Sequence, residues 1–94
     1  MTFQIRSRHD AQRFLTSGAF RPLGNAPGSV FSFSCGEPQE APDTQVHLYR
    51  WSDGCFSVMR SGVIGGHYWR DEEEEVLRDP AGWVYARRAW INKK

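Results

Sequence analysis

A chain of 94 residues with a formal net charge of only +1 builds one domain around one core, which excludes a second core or a large insertion. Its 39% hydrophobic content, with four Trp, three Tyr and six Phe, is that of a folded globular chain and excludes disorder. The N-terminus MTFQIRSRHDAQRFL has no apolar leader region, and no apolar stretch approaches the ~20 residues that span a bilayer, so a soluble, cytoplasmic protein with no membrane association is expected.

Thr2 to Arg6 alternates, with Phe3 and Ile5 on one face, and predicts a short half-buried strand. Ser7 then opens a helix, because its hydroxyl can accept the Asp10 N–H while Asp10 sits in the first turn. Ala11, Phe14 and Leu15 give that helix one apolar stripe. Gly18 is expected to end it in the left-handed conformation of a C-terminal cap. Residues 21–29, with two prolines and two glycines, read as loop.

Val30 to Cys35 alternates again, with Phe31, Phe33 and Cys35 on one face. The acidic, proline-containing residues 36–43 form a second loop. Gln45 to Trp51 and Cys55 to Arg60 make the strongest hairpin, joined by Ser52-Asp53-Gly54. Val46 and Leu48 alternate with His47, Tyr49 and Trp51, so both faces carry bulky groups and one side must be covered or adhesive. Gly62, Gly65 and Gly66 interrupt the chain before His67-Tyr68-Trp69.

Asp79-Pro80-Ala81-Gly82 fits a type I turn joining a strand that ends Val76-Leu77-Arg78 to a strand from Trp83 to Ile91. The competing reading is a helix with Asp79 as N-cap and Pro80 at its first position, supported by the helical spacing of Trp83, Ala86 and Trp90. Gly82 and the β-rich run Trp83-Val84-Tyr85 favour the hairpin. That hairpin would place Glu74 near Arg87 and Glu73 near Arg88. The expectation is thus an α+β fold over residues 1–94: one short N-terminal helix packed on an antiparallel sheet, in the order β-α-β-β-β-β-β.

The chain has no G-x-S-x-G, P-loop, G-x-G-x-x-G or H-E-x-x-H motif, so no enzymatic activity is expected. A Cys/His nucleophile would need Cys55 beside His47 or His67, and nothing local marks either cysteine as reactive. Cys35 and Cys55 read as two buried free thiols of a reducing compartment. His9, His47 and His67 are scattered, with no C-x-x-C or H-x-x-x-H pair, so neither metal nor cofactor is expected.

The chemical signal that remains is the run Asp71-Glu72-Glu73-Glu74-Glu75, preceded by Tyr68 and Trp69. Adjacent carboxylates repel, and must be solvated, neutralised within the fold or offered to a basic partner. Together with the abundant Trp, Tyr and Arg, the run points to binding a protein with a basic surface, these seven residues forming the contact. The bland alternative is a charged edge strand that blocks further pairing. Another class is single-stranded nucleic-acid binding by Arg87 and Arg88 interleaved with Tyr85 and Trp90. An immunity or antitoxin role, and assembly as a homodimer, are compatible with the same features.

The strand-then-helix lead TFQIRSRHDAQRFLTSG, the meander after it and the DEEEE patch resemble the organisation of small phage-encoded inhibitors such as anti-CRISPR proteins. That resemblance implies a partner carrying a basic nucleic-acid-binding surface, such as a nucleoprotein effector complex. The group has no diagnostic motif, so the resemblance assigns no residue a role.

Overall fold

The computed structural model describes residues 4–34, 45–61 and 70–92. Helix α1 (Arg8–Leu15) starts where Ser7 predicts, with the Asp10 N–H donating to Ser7 Oγ at 3.1 Å. Asp10 returns a bond by accepting the Arg6 N–H at 3.0 Å, so two donors at the helix start are satisfied reciprocally. Ala11, Phe14 and Leu15 are buried. The helix ends earlier than expected, at Leu15, and Gly18 does not enter the left-handed region. The Thr16 and Ser17 backbone N–H groups close the last turn on Arg13 O and Phe14 O, and the Thr16 and Ser17 hydroxyls donate to the same carbonyls.

The expected N-terminal strand is also corrected. Residues 4–6 form no strand, while Thr2 and Phe3 lie outside the described residues. Ile5 is buried as its alternation requires. Its backbone is satisfied not by a neighbouring strand but by the Asn92 amide, which accepts from Ile5 N at 2.8 Å and donates to Ile5 O at 3.0 Å.

Among the described residues four antiparallel strands make one sheet in the order β1 (Arg21–Pro22), β2 (Gly28–Ser34), β3 (Gln45–Trp51), β4 (Phe56–Ser61). The expected loop at 21–29 therefore contains a short strand and the start of β2, folded back through Gly24 at φ 61°. Gly28 serves a close approach, because a Cβ there would stand 2.6 Å from Trp51 Cε3. In the β3–β4 turn Gly54 takes φ 90°, and the Cys55 N–H donates to Asp53 Oδ1.

The register pairs Phe31 with Leu48, Phe33 with Val46, and Leu48 with Val58, all on the inner face. Helices α1 and α3 (Pro80–Ala86) share that face. Phe14 meets Phe31 edge-on at 4.9 Å, and Trp83 meets Phe33 at 6.0 Å. Phe14, Phe33, Leu48, Val46 and Trp83 are buried in this core. The fold is α+β, with the N-terminal helix packed on an antiparallel sheet as expected.

The C-terminal third corrects the hairpin reading. Residues 76–78, 83–86 and 88–91 are helical: α2 (Arg70–Arg78), α3 and α4 (Arg88–Ile91) follow one another, with Arg87 in the turn between the last two. Asp79 is the N-cap of α3, accepting the Gly82 N–H at 3.1 Å, and Pro80 occupies the first turn where its missing N–H costs nothing. Gly82, an argument for a turn in the sequence, is required by the cap. A Cβ there would collide with the Asp79 carboxylate and Arg8. Arg8 Nη2 grips that carboxylate through both oxygens, at 2.9 and 3.2 Å, and so ties α1 to the start of α3. The β propensity of Trp83-Val84-Tyr85 yields to this cap and to complete burial of Trp83 and Val84.

Candidate functional site

Helical periodicity divides the acidic run. On α2, Val76 is fully buried and points the helix at the core, which leaves Glu73, Glu74, Leu77 and Arg78 exposed. Leu77 is 63% exposed, with Glu73 and Glu74 four and three residues before it on the same surface. Neither Glu73 nor Glu74 makes a side-chain hydrogen bond or ion pair among the described residues. Glu75 turns inward, half-buried, with Oε2 at 3.9 Å from Arg87 Nη2. Asp71 and Glu72 fall in the first turn of α2. Tyr68 and Trp69, expected beside the run, lie outside the described residues.

The cross-strand pairs Glu74–Arg87 and Glu73–Arg88 are therefore not formed. Helical geometry brings Glu75 to Arg87 instead. Arg87 also donates to Trp83 O at 3.1 Å and lies 4.4 Å from the Trp83 ring centroid. Arg88 donates to Tyr85 O at 2.9 Å and lies 4.1 Å over the Tyr85 ring. Both guanidiniums thus close the C-terminal end of α3. Trp90 is partly buried and packed on the core. Tyr85, Arg87, Arg88 and Trp90 occupy a helical corner, not a strand that could track a single-stranded backbone.

A second surface was visible in the sequence only as alternation. On the outer sheet face His47, Tyr49 and Trp51 form a row, with ring centroids 6.5 Å and then 5.7 Å apart. Tyr49 and Trp51 stack with planes 17° apart. Polar partners on adjacent strands hold the row: Trp51 Nε1 donates to Ser57 Oγ at 2.9 Å, and Ser32 Oγ meets His47 Nδ1 at 2.7 Å. Met59, cross-strand from His47, is 56% exposed. The signal for this row was the bulk of alternate residues on both faces of β3.

The expectation of a buried thiol fails at Cys55, which is free and exposed just after the β3–β4 turn. Cys35 and His67 lie outside the described residues. The Cys55 thiol is pushed above its ordinary value, first by its hydrogen bond to Asp53, then by the Asp53 charge and by desolvation. This is opposite to the activation a nucleophile needs. Among the described residues no three His, Cys, Asp or Glu side chains are grouped to hold a metal ion. No helix there is long and apolar enough to cross a membrane.

Comparison with protein-family models, with curated proteins and with solved structures found no match in any of the three.

Proposed function

We propose that this chain is a non-enzymatic, cytoplasmic protein-binding module, and that it docks the outer face of α2 on a basic surface. The observation that carries the reading is Leu77, a large apolar side chain 63% exposed on the same helix face as Glu73 and Glu74. An apolar centre with a charged rim is the anatomy of a transient interface. The carboxylates steer encounter and reject acidic partners, while the leucine supplies buried area. The organisational resemblance to phage-encoded inhibitors directs the proposal to a partner whose basic surface serves nucleic acid, such as a nucleoprotein effector complex.

The test is affinity capture from lysate with three baits: the native chain, Glu73→Lys with Glu74→Lys, and Leu77→Ser. A partner recovered by the native chain, released by moderate salt and lost with both variants supports the reading. Equal recovery by all three baits refutes it.

Single-stranded nucleic-acid binding is the second reading. The observation favouring it is the Tyr49–Trp51 stack on the outer sheet face, since aromatic rows on sheets are platforms for unpaired bases. It predicts low-salt affinity for oligonucleotides that is lost in Tyr49→Ala. No binding by the native chain at low salt refutes it.

A further inference from the structure

A cleft of about 500 Å³ opens at the end of the sheet, between the C-terminal end of α1 and the β3–β4 turn. That volume lies within the usual range for small-molecule sites. Its walls are largely apolar, with Leu15, Pro22, Pro27, Trp51 and Phe56 among them. Among the described residues Arg50 is the only charged one in the lining, and no carboxylate of theirs lines the cleft beside it.

The Arg50 guanidinium is half-buried and held in place. Its Nη1 donates to Leu15 O at 2.8 Å and to Ser17 O at 2.9 Å, and its Cζ lies over the Phe20 ring, 4.3 Å from the centroid. Those contacts fix one edge of the guanidinium. The Nε and Nη2 hydrogens meet no acceptor among the described residues. The chain therefore presents a pre-oriented pair of donors, carrying a positive charge, beside an apolar cleft.

We propose that this cleft binds a small organic monocarboxylate, its carboxylate on the Nε/Nη2 edge of Arg50 and its apolar body against Trp51 and Phe56. A carboxylate matches the planar donor fork in two parallel hydrogen bonds. One cation with one open edge balances a single negative charge, which favours a monocarboxylate over a doubly charged phosphate. The apolar walls exclude a bare inorganic anion as the preferred occupant. The proposal is independent of the α2 face, since none of the described residues Glu73, Glu74 and Leu77 lines the cleft.

The test is an NMR titration of the isotope-labelled chain with phenylacetate, with neutral phenylacetamide and with inorganic phosphate, at matched ionic strength. Phenylacetate is expected to give saturable shifts at the amides of Gly28, Trp51, Ser52 and Gly54, and phenylacetamide to bind at least about tenfold more weakly, as loss of a charge-assisted pair requires. Arg50→Gln should abolish the shifts. Should that variant lose its dispersed spectrum, the decision passes to Gln12→Trp, which fills the cleft from the exposed side of α1 and should also abolish them. No saturable shift with phenylacetate, equal binding of phenylacetamide or phosphate, or native-like binding by Gln12→Trp overturns the proposal.

Discussion

Replacing Trp83 with Ala tests the packing that positions α2 and α3. Trp83 is fully buried, meets Phe33 of β2 at 6.0 Å and carries Arg87 over its ring at 4.4 Å. Truncating a buried Trp costs about 3–5 kcal/mol in transfer and cavity energy. The lost cation–π contact adds about 0.5–1 kcal/mol. Against about 5–14 kcal/mol for a chain of this length, a loss near 4 kcal/mol removes a large part of the stability. At a slope of about 1.5 kcal/mol per M the urea midpoint falls by about 2.5 M. The assay is urea unfolding followed by far-ultraviolet circular dichroism, with Trp90→Ala as the control. Trp90 is only partly buried and should cost about 1 kcal/mol. Equal midpoints for the two variants, or a loss below about 1 kcal/mol for Trp83→Ala, would refute the packing of α3 through Trp83.

Two further outcomes follow from charges at element ends. The Asp79 carboxyl is held below its ordinary value, first by the hydrogen bond from Arg8, then by the Gly82 N–H and by the charges of Arg8 and Arg78, against desolvation. Because the folded value is the lower one, its contribution is present above the unfolded carboxyl value and is lost as pH falls through the folded one. Urea midpoints measured from neutral pH into the acid range should therefore drop less steeply for Asp79→Asn than for the native chain, and parallel curves would contradict the assignment. At Cys55, iodoacetamide at neutral pH should react faster with Asp53→Asn than with the native chain, because Asp53 raises the thiol; an unchanged rate would remove Asp53 as the cause.

The first helix and the central hairpin were legible because their signals are local. Ser7 and Asp10 specify a helix start within four residues, and Asp53-Gly54 specifies a turn whose geometry Gly54 adopts at φ 90°. The C-terminal third was ambiguous because the same residues satisfy two local rules. Asp79-Pro80-Ala81-Gly82 is both a type I turn and a helix start. What decides between them is distant: Arg8 on the Asp79 carboxylate, and the burial of Trp83 against Phe33. The Ile5 backbone is another such case, satisfied by Asn92 from the far end of the chain where alternation implied a strand partner.

The candidate site was legible in composition and not in geometry. The carboxylate run stands out in the sequence, but its division depends on helical phase. A period of 2 would alternate Glu73 and Glu74 across a strand, whereas a period of 3.6 leaves both exposed and turns Glu75 inward to Arg87. Leu77, which gives the face its apolar centre, carried no signal while residues 76–78 read as a strand. The Arg50 cleft was invisible for a related reason, since its cation and its apolar walls come from both sides of the sheet order and from α1.

Hydrogen–deuterium exchange on the complex with the captured partner tests the central claim most directly. Docking through the outer face of α2 predicts added protection concentrated in residues 70–78, with β2–β4 little changed. Added protection confined to the outer face of the sheet, with α2 exchanging as in the free chain, would contradict it.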